Sequence, residues 1–243
     1  MVLSRAFFAP VAGLVVALAL GVAGEQGFEL ERGRIEQDQR SQVVTAVGQY
    51  RAALEGELNA TLYLTNGLVA YVETHSAPVA EQVEPLLKAL YEQGRHIRNI
   101  GLAPGNRLTY VYPRRGNEQA VGLYYPDLPD QWPVVERTIR ERQPRLAGPV
   151  QLRQGGQGLI YRVPVFIGPK ADYWGLLSMV IDPDSLFAWV GIAPEANGLQ
   201  LAVRGKDGAG RQGDTFLGDA ALFESDAVTA TVSTPGGTWQ IAA

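Results

Sequence analysis

The sequence predicts an α+β fold, with helices first and antiparallel strands after them. Three observations carry this prediction. Residues 28–72 contain no proline and repeat apolar residues at helical spacing. Residues 97–181 alternate short apolar runs with Gly, Pro and Asn turn signals. One helical pattern, 130–142, interrupts those runs. Helices followed by strands grouped around one helix make an α+β layout.

Arg5 is the only basic residue before an uncharged run of 19 residues, 6–24. As a helix such a run spans roughly 28 Å, near the thickness of a bilayer core. It reads either as a transmembrane signal anchor over 1–24 or as a cleaved signal peptide with Val22-Ala23-Gly24 as its small-residue site. Both readings carry the rest of the chain out of the cytoplasm, so residues after about 25 are expected in the periplasm or extracellular space. The expected location is the inner (plasma) membrane, contacted through residues 6–24.

Residues 25–72 are expected to form a stalk helix. Val43, Val47, Tyr50, Leu54, Leu58 and Leu62 fall on one stripe, with a charged face behind. The stripe suits either a homodimer stalk or a helix packed on its own domain. A second helix is expected at 80–93, after the Ser76-Ala77-Pro78 break. A hairpin follows at 97–112 around Pro104-Gly105-Asn106. Arg114 to Asn117 reads as a solvated turn, and 121–125 returns as a strand or strand-like segment. Helix 130–142 is expected to start with Asp130 as its cap and Pro133 in its first turn. A hairpin at 149–166 turns at Gln154-Gly155-Gly156-Gln157, and a further strand covers 173–181. Asp182-Pro183-Asp184-Ser185 opens a short helix ending near Gly191. A smaller unit with strands at 199–203, 228–232 and 238–241 has few large residues and depends on its neighbour for a core.

The composition is that of an ordinary globular chain, 46% hydrophobic and 19% charged. The net charge of -4 argues against a nucleic-acid binder. With no cysteine, thiolate chemistry and zinc-thiolate sites are excluded. The two histidines, His75 and His96, stand 21 residues apart and suggest no shared metal. We expect no metal, no cofactor and no catalytic residues, because no nucleophile, base and orienter can be assembled. Asp182 and Asp184 read as helix caps, and Gly155-Gly156 as a hairpin turn without the Gly-Lys-Ser/Thr of a phosphate loop. Residues 95–162 hold eleven arginines against five acids. Arg162 differs from the others, because it lies within the apolar run Leu159-Ile160-Tyr161-Arg162-Val163-Pro164-Val165-Phe166. It either points outward on an alternating strand or faces a cavity and binds an anionic or carbonyl group.

One series of segments runs in order along the chain. It comprises Ile100-Gly101-Leu102-Ala103-Pro104, Tyr112-Pro113, Gly116-Asn117-Glu118, Ala120-Val121-Gly122-Leu123, Leu146-Ala147-Gly148-Pro149-Val150-Gln151-Leu152, Gly155-Gly156-Gln157-Gly158-Leu159, Arg162-Val163-Pro164-Val165-Phe166, Tyr173-Trp174-Gly175 and Ile181-Asp182. Together these segments resemble the CHASE sensory domain of plant cytokinin receptors and bacterial membrane receptors, over about residues 60–192. The resemblance implies two PAS-like antiparallel-sheet units after the stalk. The larger, membrane-distal unit at 73–192 would hold a small-molecule ligand, and the smaller, membrane-proximal unit would cover 193–243. It also implies a homodimer, a second membrane helix and a cytoplasmic kinase or cyclic-dinucleotide output domain. An end at Ala243, on a strand, fits a chain that lacks these. In the cytokinin receptors an aspartate binds the adenine-type ligand, and Tyr124 stands at the matching position. A phenol supplies no carboxylate at neutral pH, so cytokinin-type recognition does not carry over. The implied ligand site is lined by Tyr112, Tyr124, Leu146, Arg162, Trp174 and Gly175. The reading is therefore the ligand-sensing region of a transmembrane receptor. A stand-alone secreted or anchored binding protein is the alternative, with an exported hydrolase third.

Overall fold

A computed structural model of the chain describes residues 5–75 and 80–243, with side chains from residue 31 onward. It divides into two units, 1–45 and 46–243. Helix α1 (Arg5–Tyr63) supplies all of the described first unit. Residues 31–42 there are exposed, including Ile35. The anchor expected at 1–24 falls on residues whose side chains lie outside the described set. Among the described residues, no helix is long and apolar enough to cross a membrane.

The second unit starts with the last turns of α1, where Val47, Tyr50, Leu54, Leu58 and Leu62 are buried. The stripe thus has a core to face. A one-residue interruption at Leu64, whose backbone stays helical, separates α1 from α2 (Thr65–Thr74), which packs on β4 and β5. Helix α3 (Ala80–Gln93) follows.

A five-stranded antiparallel sheet comes next, in the order β2-β1-β5-β4-β3. Its strands are β1 (Ile97–Pro104), β2 (Tyr110–Tyr112), β3 (Arg145–Gln151), β4 (Gln157–Ile167) and β5 (Asp172–Ile181). Consecutive strand residues point to opposite faces, and β4 shows what covers each. Tyr161 meets Thr65 of α2, while Arg162 meets Gln131 at the start of α4 (Trp132–Glu141). Covered on both sides, β4 is buried from Gly158 to Val165, which explains its nearly continuous apolar run.

Two expectations need correction here. Helix α4 starts behind Gln131, with no side-chain cap, because Gln131 and Trp132 both donate to the Leu128 carbonyl and the turn closes after Asp130. The segment 121–125 forms no regular strand, only one antiparallel bridge, Arg107 with Tyr124. Leu108 donates to the Leu123 carbonyl at 2.8 Å and accepts from Gly122 at 2.7 Å. Flanking 3-10 turns, Glu118–Ala120 and Tyr125–Asp127, leave no length for more. Strand β2 is correspondingly short, beginning at Tyr110. The cap at Asp182 is present: its carboxylate accepts from the Ser185 amide at 3.0 Å, opening α5 (Pro183–Trp189).

After the short pair β6 (Glu195–Ala196) and β7 (Leu199–Gln200), a second antiparallel sheet runs β10-β11-β8-β9. It contains β8 (Ala202–Arg204), β9 (Thr215–Leu217), β10 (Thr229–Thr234) and β11 (Gly237–Ala242). Strand β9 has only Thr215, Phe216 and Leu217, too short a run to signal itself in sequence. The sheet borrows its core, as its composition required. Trp239 is fully buried, with ring centroids 5.3 Å from Phe216 and 6.3 Å from Phe187 of α5. Gly148 of β3 packs between β4 and the Lys206–Gly208 turn. Its amide donates to Asp207 Oδ1 at 2.7 Å, its φ is +107°, and a Cβ there would sit 2.7 Å from the Gly158 carbonyl oxygen.

Candidate ligand-binding site

The apolar sheet face beneath the 105–131 connection carries three polar residues on three adjacent strands. Asn99 of β1 pairs with Val180 of β5, and Ser178, two residues earlier on β5, pairs with Arg162 of β4. Alternation puts all three on one face. They are 3%, 4% and 2% exposed. The connection closes over them. Leu108 lies on Gly101, where a Cβ would come within 2.7 Å of the leucine side chain. Tyr125 is held by its amide, which donates to the Asn106 carbonyl at 3.0 Å. A cavity of about 30 Å³ remains between sheet and connection, bordered by Asn99, Leu108, Tyr125, Gln131, Arg162 and Ser178.

Its rim is held by a buried amide network. Asn99 Nδ2 donates to Asn117 Oδ1 at 2.8 Å, Asn117 Nδ2 donates to the Pro113 carbonyl at 2.9 Å, and Gln154 Nε2 donates to Asn117 Oδ1 at 3.2 Å. Asn117 thereby ties the 113–117 turn and the β3–β4 hairpin to the sheet. An outer cleft of about 680 Å³ shares Gln131, Leu152 and Arg153 with the cavity and adds Asp130, Lys206 and Asp207.

Arg162 dominates the electrostatics. Its Nη2 donates to Gln131 Oε1, its guanidinium carbon lies 5.0 Å from the Tyr125 ring centre, and its Nε has no partner. Burial pulls its pKa down, opposed by Tyr125 and by the field of Asp207. Among the described residues it has no carboxylate partner. Directly across from it on β3, Arg145 is paired with Glu141 at the end of α4 and donates to the Gly236 carbonyl of the second sheet.

Of the six residues expected to line the site, the cavity takes Arg162, on its inward-facing alternative. The other five lie elsewhere. Tyr112, on edge strand β2, packs edge-on against Tyr91 with centroids 5.6 Å apart. Tyr124 is half-buried beneath Arg107, whose guanidinium lies 4.9 Å from its ring. Its neighbour Tyr125 is the tyrosine that faces Arg162, since one residue along an extended backbone reverses the side chain. Leu146 pairs with Tyr161 and so occupies the opposite sheet face. Trp174, at the start of β5, is half-buried, and its carbonyl accepts from Gly105 at 3.0 Å. Gly175 sits where β5 meets β1, and a Cβ there would fall 2.3 Å from the Ala103 carbonyl oxygen.

Sequence reasoning missed Asn99, Ser178, Tyr125 and Gln131. Ser178 carried the same signal as Arg162, a lone polar residue in an apolar strand, whereas Asn99 follows Arg98 on β1. A second polar cluster lies apart from the cavity. His96 Nδ1 is 2.7 Å from Ser185 Oγ, and its Nε2 is 3.2 Å from Glu57 Oε1. This joins α1 to α5 through a buried imidazole.

A family model described as the CHASE domain matches residues 66–217. The fold is shared with solved sensory domains. The ligand-binding domain of the Pseudomonas aeruginosa amino-acid chemoreceptor PctB, in complex with L-Arg, superposes with a TM-score of 0.62 at 13% identity, covering 85% of this chain and 94% of that one. The extracellular domain of the putative histidine kinase soHK1S-Z6 gives 0.58 at 15% identity, covering 87% and 95%. An extracellular ligand binding receptor from Desulfohalobium retbaense gives 0.59 at 13% identity, covering 84% of this chain, which spans only 39% of that receptor. Comparison with curated proteins gives no match.

Proposed function

The chain belongs to the CHASE domain family, and from that premise we propose that it is the extracytoplasmic ligand-sensing region of a transmembrane signalling receptor. The cavity beneath the 105–131 connection is the observation that carries this reading. It lies on a sheet face with buried polar groups and shares Gln131, Leu152 and Arg153 with an outer cleft of about 680 Å³, which has the size of a small-molecule site. The solved domain of PctB holds L-Arg, which supports a small molecule as the ligand class.

In this reading residues 1–24 anchor the chain, 25–72 form the stalk of a homodimer, 73–192 sense the ligand and 193–243 form the membrane-proximal unit. Signalling is a population shift, limited by the ligand's differential affinity for two conformations. Helix α4 is the candidate lever, with Gln131 at the cavity before its first turn and Glu141, through Arg145, at the second sheet. No catalytic step is required.

A thermal-shift screen of the full chain against small metabolites tests the reading, because a ligand that binds only the folded state raises its stability. Screen hits should stabilise the wild-type protein and lose their effect in Ser178→Phe, which fills the cavity. Hits that act equally on both proteins would remove the cavity from the function.

A further inference from the structure

We propose that the ligand enters carboxylate first, and that Arg162 receives the carboxylate at the inner end of the cavity. The proposal rests on the sensor reading and deepens it. A buried charge is costly unless paired, and buried cations in folded proteins are normally matched by an anion. Arg162 is 2% exposed, and its partners among the described residues are neutral. The acid whose field reaches it, Asp207, already accepts from the Gly148 amide. Its cross-strand neighbour Arg145 adds a like charge, and Glu141 is taken up by Arg145 and Arg137.

The free atoms also have the right arrangement. The Nε–H and one Nη2–H of a guanidinium point the same way, and this edge takes both oxygens of a planar carboxylate. In Arg162 the Nε is unpartnered and the Nη2 is held by one amide oxygen, that of Gln131. Gln131 supplies that Nη2 with an uncharged acceptor. Ser178, directly opposite on β5, and Asn99 border the same space. The outer cleft of about 680 Å³ has room for the rest of the molecule, and Gln131 stands at the junction.

The test is thermal shift and calorimetric titration of the full chain with acetate, propionate, pyruvate, succinate, glycine and alanine. Acetamide, propionamide and inorganic phosphate are the comparison arms, all at matched ionic strength. At least one carboxylate should raise the wild-type Tm saturably while its amide does not. Its affinity should fall tenfold or more in Arg162→Met, where an apolar chain replaces the unpaired charge without a new burial cost. Arg162→Lys, which keeps the charge but loses the fork, should also weaken binding, and serves if Arg162→Met does not fold. Three outcomes would overturn the proposal: no carboxylate binds, phosphate or the amides bind instead, or the carboxylate effect survives in Arg162→Met. Neutral compounds whose effect survives Arg162→Met but disappears in Ser178→Phe would leave the sensor site standing and remove only the carboxylate. Carboxylates that act equally on wild type and both variants would remove both.

Discussion

Arg145 and Arg162 stand directly across from each other on β3 and β4, and Glu141 serves only the first. Two buried arginines of similar setting therefore differ in kind. Arg145 has its anion and a backbone carbonyl and clamps α4 to the second sheet, whereas Arg162 is held by a glutamine amide at the cavity.

The clamp predicts a pH dependence. Hydrogen bonds from Arg137 and then Arg145 hold the Glu141 carboxyl below the usual carboxylate range. A depressed folded-state pKa stabilises the fold above the unfolded value of about 4.3, and the gain is lost as pH falls through the folded value. Glu141→Gln should therefore lower Tm at pH 7, with the gap to wild type closing below about pH 4. An equal gap at pH 3 and pH 7, measured by thermal melts, would mean that the charge of Glu141 contributes nothing.

Asn117→Ala should cost about 1–3 kcal/mol, because it strands the buried Asn99 amide that now donates to it. In urea titrations the double variant with Asn99→Ala should cost less than the sum of the single variants, since both remove one bond. Additive losses would place the effect outside that bond.

Trp239→Ala should cost about 3–5 kcal/mol, as expected for a buried aromatic ring. Trp239→Phe should cost less than half of that. It keeps a ring against Phe216 and Phe187 and deletes an indole N–H that has no partner. Equal losses in chemical denaturation would show that the ring contacts do not carry the stability.

Leu54→Ala should cost about 2–5 kcal/mol, while Ile35→Ala should stay within about 0.5 kcal/mol for the single chain, since Leu54 is fully buried and Ile35 is 50% exposed. The proposed homodimer stalk adds a second readout. Ile35→Asp should shift sedimentation from dimer to monomer, and an unchanged profile would rule out dimer contact at that position.

Local signals made much of this fold legible. The stripe from Val47 to Leu62 required a buried partner, and it has one. Turn chemistry at Pro104-Gly105-Asn106 and around Gly155-Gly156 gave the two hairpins, and Asp182-Pro183 gave the start of α5. The errors lie where one residue of backbone path mattered. The interruption at Leu64, between α1 and α2, carries no local breaker in the sequence. Residues 121–125 read as a strand or strand-like segment, but their pairing with 106–108 amounts to one antiparallel bridge, Arg107 with Tyr124.

By itself the sequence determined the α+β class, the family resemblance and the oddity of an arginine inside an apolar strand, because periodicity, turn chemistry and composition act locally. Only the tertiary structure decided that Arg162 faces inward and that Tyr125 rather than Tyr124 meets it. It also decided that Asn99 and Ser178 share its face and that Glu141 pairs with Arg145. Those facts depend on strand register and on how the 105–131 connection closes over the sheet. Register brings together residues 99, 162 and 178, which chain spacing alone could not align.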